Sequence, residues 1–255
     1  MNASESTSTI HHDAQTPPFP ETADIESSSD EYAGRFAGPT GQWMLAVQER
    51  LTLSLLEPYG EKLSVLDVGG GHGQLAIPLC RDRHRVTVLG SAPECAHRIR
   101  SIIDSGACRF VVGNVIALPF EDQSFDVVLS FRMLTHCGQW PNLAAELCRV
   151  ARRAVIVDYP TSQSVNRIAP WLFEAKKKVE VNTRVWHLFK HEEVHNAFRD
   201  HGFALSRLRK QFFFPMVVHR MLKCRAVSAG LETICRYTGL TRWAGSPVIA
   251  AYERT

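Results

Sequence analysis

Lysine and arginine are missing from the first 34 residues, CxxC pairs are missing throughout, and no uninterrupted apolar run approaches the roughly 20 residues of a membrane-spanning helix. The last absence excludes a helical span. The second, with Cys80, Cys95, Cys108, Cys137, Cys148, Cys224 and Cys235 scattered singly and odd in number, argues against a zinc knuckle and a disulfide framework. These read as reduced, mostly buried thiols. The first absence marks a tail. Glu5, Asp13, Glu21, Asp24, Glu26, Asp30 and Glu31 stand among Ser, Thr and Pro with too little apolar surface to offset the entropy of ordering, so residues 1–30 are expected to be disordered. The tail also lacks the basic start and apolar stretch of a secretory signal and the arginines of a transit peptide, and the expected location is the cytoplasm. The pair His11 and His12 has no further ligands at usable spacing, and no metal is expected.

What is present is ordinary globular material: 255 residues, 45% hydrophobic and 22% charged, enough for one sizeable core. All 29 basic residues and 19 of the 26 acids lie beyond residue 34, so a net charge of +3 conceals +10 in the folded part. Such a surplus can draw anionic substrates, acidic membrane surfaces or nucleic acid; a solvated basic surface is the plainer reading, and nucleic acid is not expected.

An apolar stripe through Trp43, Met44, Val47, Leu51 and Leu55 predicts a helix ending near Pro58. Short apolar runs follow at Leu63–Val68, Arg85–Leu89, Arg109–Val112, Phe125–Ser130 and Ala154–Asp158, separated by helical stretches. Parallel strands need crossovers, so this alternation predicts an α/β fold with a doubly wound, Rossmann-like sheet. Beyond Pro160 come a basic, aromatic-rich stretch with Lys176, Lys177 and Lys178, a helix over 191–201, a long strand over 203–214, helices over 215–245 and a final strand over 246–252. The expected division is a tail over 1–30, a lid helix and ligand-binding core over 31–160, and an inserted α-rich substrate-pocket region with closing strands over 161–255.

The first strand turns into its helix through Asp67-Val68-Gly69-Gly70-Gly71-His72-Gly73. Exposed backbone N–H groups and missing side chains let a nucleotide-like ligand lie against the main chain there, at the carboxyl edge where open α/β sheets bind ligands. Gly71-x-Gly73-x-x-Ala76 also satisfies the looser dinucleotide fingerprint, but Asp67 would crowd a pyrophosphate and suits a positively charged ligand.

With Leu118-Pro119-Phe120-Glu121-Asp122-Gln123-Ser124-Phe125-Asp126 at its proper separation, the chain resembles, over about residues 61–160, the class I S-adenosylmethionine-dependent methyltransferases, in particular the type 11-like group. The resemblance implies a seven-stranded sheet with an antiparallel last strand and S-adenosylmethionine as cofactor. It places Asp67, Gly69, Gly70, Gly71 and Gly73 along the methionine and ribose part, Asn114 and Val115 at the adenine, and Ser130 and Phe131 at the methionine moiety and the transferred methyl. The family's ribose-gripping acid at the end of the second strand is replaced by Gly90, leaving Ser91 to supply one hydrogen bond; Gly90→Asp is then expected to tighten binding. Tyr32, Arg35 and Phe36 fall where related enzymes fold a lid.

Methyl transfer is an in-line displacement in which alignment dominates, with a general base where the acceptor carries a proton. The expected catalytic residues are His136 as base, Arg132 as partner of an anionic acceptor, and Tyr159 as gate or orienting group. His72 is expected to serve loop geometry. The segment Arg207–Met216 mixes basic and aromatic residues, as nucleic-acid or peripheral membrane contacts do, but packing of a strand and loop is the preferred reading. The activity implied is transfer to a small-molecule or lipid-like acceptor. The alternatives are a non-catalytic scaffold of the same fold, motivated by Gly90, and an NAD-dependent dehydrogenase.

Overall fold

The computed structural model describes residues 19–164 and 186–255; the first 18 residues and the Lys176–Lys178 run lie outside the described residues. In chain order the elements are α1 (Ala23–Ser27), α2 (Asp30–Gly34), α3 (Gly38–Leu56), β1 (Ser64–Val68), α4 (Ala76–Arg81), β2 (Arg85–Gly90), α5 (Arg100–Asp104), β3 (Cys108–Val112), β4 (Phe125–Ser130), α6 (Trp140–Val150) and β5 (Ala151–Tyr159). Then come α7 (His191–Arg199), β6 (Phe203–Phe212), α8 (Met216–Leu222), α9 (Arg225–Tyr237), α10 (Leu240–Ala244) and β7 (Ser246–Arg254).

The strands form one seven-stranded sheet in the order β3-β2-β1-β4-β5-β7-β6. β1 to β5 pair in parallel, and β7 runs antiparallel to both β5 and β6. The expected sheet and its reversed last strand are therefore present. Winding reverses between β1 and β4, which opens a crevice at their carboxyl ends.

Two apolar layers cover the faces. Leu66, Val128, Leu147 and Phe198 belong to one, and Val65, Leu79, Val127 and Ile156 to the other, all fully buried. Helix α6 shows the cause at sequence level: Leu143, Ala144, Leu147, Cys148 and Val150 are buried at helical spacing. The Leu118–Asp126 motif is structural. Arg149 donates to the carbonyls of Phe120 and Leu118 at 2.8 and 2.9 Å, and Asp126 accepts from Ser64 N and Oγ at 2.8 and 2.7 Å, clamping the β4 approach to β1.

Residues 23–30 correct the expectation of a tail over 1–30. Asp24, Ser27 and Ser28 are buried within α1 and its exit, and the boundary drawn at residue 30 falls on the first residue of α2. The helical stretch expected between the second and third strands is a 3-10 segment, Pro93–Ile99, followed by α5.

Candidate active site

The glycine turn leaves β1 with Gly69 in the left-handed region at φ 77°, its N–H donating to Leu89 O at 2.8 Å. A side chain on Gly69 would also meet Met133, its Cβ lying 2.6 Å from Sδ, and one on Gly70 would sit on the Asp67 carboxylate. The turn is thus glycine-rich because neighbours close in on it as well as because of backbone conformation. Asp67 ends β1 almost wholly buried, and its Oδ1 has no hydrogen-bond partner among the described residues. Burial pushes its carboxyl up to about 7, with the Arg132 charge opposing. A buried carboxyl with an unused oxygen beside a glycine loop is suited to a cationic amino group.

The neighbouring strand ends are filled differently from expectation. Gly90 cannot be replaced by a ribose-gripping acid, because a Cβ there would lie 2.6 Å from Cys95 Cβ and 2.9 Å from the Phe110 ring. Ser91 is buried, and both its N–H and its hydroxyl donate to the Asp24 carboxylate at 2.6 Å. Cys95 Sγ donates to Asp24 Oδ2 at 3.3 Å. Helix α1 therefore lies in the crevice between the glycine turn and the end of β2. The space left beside Asp67, Gly69, Gly70 and Phe131 is about 20 Å³, room for one water.

Asn114 is half-buried, and its Oδ1 already accepts from Ile116 N at 3.1 Å, holding the turn after β3; Val115 beside it is fully buried. Ser130 Oγ donates to Val68 O at 3.2 Å, tying β4 to β1, while Phe131 packs in the second apolar layer and borders the cavity under the glycine turn.

A second cavity, of about 110 Å³, opens on the other side of Arg132. Its walls include Tyr32, Phe36, Met44, Trp186 and Met216, and its polar groups include Gln48, Arg132, His136 and Asp158. Trp186, Gln211, Met216 and Pro247 line it from beyond residue 160, and α3 and the segment after β4 build it as much. Arg132 sits at φ 63°, a conformation uncommon for a side-chain-bearing residue. That turn aims its N–H at Asp158 Oδ1, 2.5 Å away, and its guanidinium at Gln48 Oε1 at 3.2 Å. Gln48 Nε2 in turn donates to Asp158 Oδ2 at 2.9 Å. Burial raises the Asp158 carboxyl to about 6, against the opposing pull of Arg132 and Gln48.

His136 lines this cavity with its ring edge-on to Trp186 at 5.4 Å, and Arg132 lies over the Tyr32 and Phe36 rings at 5.6 and 5.1 Å. Tyr159 does not belong here. Successive residues of a strand face opposite ways, so Asp158 looks into the cavity and Tyr159 into the core, where its hydroxyl meets His191 Nδ1 at 3.0 Å. Its expected gating role is corrected on that ground. His72 stands edge-on to Tyr32 and Phe36, each at 6.0 Å, and burial lowers its pKa to about 3, so the loop histidine is a neutral seat for the N-terminal segment.

Sequence reasoning missed Asp158, Gln48 and Asp24. Asp158 carried a signal: like Asp67, it ends an apolar parallel strand at the ligand edge of the sheet. Gln48 and Asp24 carried none, since their partners are 110 and 67 residues away.

Residues 65–154 match the family described as "Methyltransferase domain". An uncharacterized methyltransferase of Mycolicibacterium vanbaalenii is 31% identical over 130 residues, 50% of this chain and 48% of that protein. A phthiotriol/phenolphthiotriol dimycocerosates methyltransferase of Mycobacterium tuberculosis is 34% identical over 116 residues, 42% and 40% of the two chains. The chain thus spans about half or less of the length of these relatives. Among solved structures, the magnesium protoporphyrin IX methyltransferase of Synechocystis with bound SAH superposes with TM-score 0.61 at 13% identity, covering 91% of this chain and 98% of that one, which establishes the shared fold. The glycine turn and sheet order thus sit within a segment, residues 65–154, that is similar to the methyltransferase domain, on a sheet that shares the fold of a solved methyltransferase.

Proposed function

We propose that the protein is a methyltransferase that uses S-adenosylmethionine and acts on a small or lipid-like acceptor held in the cavity beside Asp158. The observation carrying this reading is Asp67: a buried carboxyl with an unpartnered oxygen, set against a glycine turn, fits the cationic amino end of that cofactor. Relatives whose names specify malonyl-[acyl-carrier protein] and phthiotriol dimycocerosates as acceptors lend support to a lipid-like class.

The residues at the two ends of the crevice differ in fit. At the methionine end Asp67, Gly69 and Gly70 match the group in chemistry but leave room for one water, and at the nucleoside end the Asp24 carboxylate holds Ser91, so α1, which carries both Ser27 at the first and Asp24 at the second, must withdraw before the cofactor enters. When bound, the cofactor supplies a methyl group already activated on a sulfonium. The chain's own residues then do the remaining work. Tyr32, Phe36, Met44 and Trp186 give the acceptor apolar walls that exclude water, and Asp158, held by Gln48 and the Arg132 N–H, takes the proton that a hydroxyl or amine acceptor must lose. His136, across the same cavity, orients the acceptor, and Arg132 balances its charge.

A second reading, a catalytically silent scaffold, is favoured by one observation: Asp24 fills the nucleoside end. Calorimetry with S-adenosylmethionine, S-adenosylhomocysteine and NAD separates the readings. Binding of the two sulfur nucleosides and not of NAD is the expected result. Heat from NAD alone would overturn the methyltransferase reading, and heat from none would favour the scaffold.

A further inference from the structure

The five most exposed large hydrophobic side chains among the described residues all lie on α8, α9 and α10: Tyr237 at 89%, Trp243 at 75%, Met221 at 71%, Ile234 at 62% and Val227 at 48%. Helix α9 is turned inside out. Ser228, Glu232 and Cys235 face inward, whereas Val227, Ile234 and Tyr237, spaced by seven and three residues, share the outward face. The inversion has a cause. The buried Glu232 carboxylate accepts from the N–H groups of Phe213 and Phe214 at 2.9 Å and lies 3.0 Å from His219 Nε2, which pins the polar side of the helix to the end of β6.

The surrounding charge has one sign. Between residues 203 and 252 stand eight Lys and Arg residues and a single acid, Glu232, which is 1% exposed and spent internally. Lys223, Arg225, Arg236 and Arg242 flank the apolar side chains and form no ion pair among the described residues. A cavity lined by Arg35, Arg220 and Lys223 opens next to them.

We propose that α8, α9 and α10 form a docking face for an anionic lipid bilayer, with Ile234, Tyr237 and Trp243 entering the interface and the surrounding cations meeting the headgroups. Tyrosine and tryptophan suit the boundary between hydrocarbon and water, and juxtaposed basic residues bind acidic leaflets. A second copy of the chain is a poorer occupant, because two like faces would bring cations against cations with no exposed acid between them. No helix among the described residues is long and apolar enough to cross a membrane, so the face would lie on the surface. Met216, the first residue of α8, also lines the cavity beside Asp158, so the face adjoins the place where a lipophilic acceptor would enter.

The test is flotation of the full chain with vesicles of phosphatidylcholine alone and of phosphatidylcholine containing phosphatidylglycerol, at low and high salt. Binding to the anionic vesicles alone, weakened by salt, is expected. The exposed triple variant Ile234→Ser/Tyr237→Ser/Trp243→Ser should keep its circular dichroism and thermal midpoint yet lose about tenfold or more in partitioning. Lys223→Glu/Arg225→Glu/Arg242→Glu should lose the preference for anionic lipid. No vesicle binding, equal binding to neutral vesicles, or undiminished binding by the triple variant would overturn the proposal. So would a wild-type dimer that the triple variant dissolves, which would identify a second copy as the occupant. The vesicle result is independent of cofactor binding and stands or falls apart from the methyltransferase reading.

Discussion

Asp158 and Asp67 are two carboxyl groups whose environments differ enough to separate their tasks. Asp158 receives two hydrogen bonds and stands at about 6, so near neutral pH it is ionised and basic enough to take a proton. Asp158→Asn keeps the shape and removes the basic oxygen. Turnover with a hydroxyl or amine acceptor found by screening should fall by the order of 10²–10⁴-fold, while calorimetric binding of S-adenosylhomocysteine persists. In the unaltered protein the rate should climb through about pH 6 as this carboxyl ionises. Asp67 has one free oxygen and stands at about 7. An amino cation prefers it ionised, so affinity for S-adenosylhomocysteine should increase as pH rises toward and past 7, a dependence that Asp67→Asn should abolish in the same titration.

At the scale of an element, α1 has only five residues and little helical stability of its own, so its docking depends on contacts. The two hydrogen bonds from Ser91 to the Asp24 carboxylate, each worth about 1.5–3 kcal/mol, dominate that docking, with a weaker one from the Cys95 thiol. Asp24→Ala should release α1, free Ser91 and tighten S-adenosylhomocysteine binding; weaker binding by calorimetry would instead make Asp24 part of the cofactor site. The end of β2 gives the opposite lesson. Gly90→Asp, which sequence alone favours as a gain in affinity, drives a side chain into Cys95 and Phe110. It should destabilise the fold by roughly 1–3 kcal/mol, seen as a lower urea midpoint.

Across the whole molecule, the same two raised carboxyl pKa values supply one component of the pH dependence of stability, opposed by the lowered pKa values of His72 and His191, whose contribution grows as pH rises toward 6.5. The ordinary carboxyl value is 3.8, and folding lifts Asp158 to about 6 and Asp67 to about 7, so the native state binds the protons more tightly. Their stabilising contribution is complete below pH 3.8 and is lost as pH rises through 6 and 7. Urea unfolding should therefore show this component declining between about pH 4 and 7, and Asp67→Asn/Asp158→Asn should flatten it.

The sequence by itself determined the sheet, its parallel run, the reversed last strand and the glycine turn with Asp67, because each depends on local periodicity and on residues a few positions apart. It also singled out Arg132 and His136, in the segment after β4, and both line the cavity beside Asp158. Only the tertiary structure decided that Asp24, one of several acids in a polar stretch, would be buried against Ser91, since composition describes a charge as solvated until a distant donor is known. The same holds for Gln48 meeting Asp158, for Tyr159 turning from the cavity into the core, and for α9 showing its apolar side outward. In each case the deciding partner comes from another element, and a chain read in one dimension does not say which surfaces will meet.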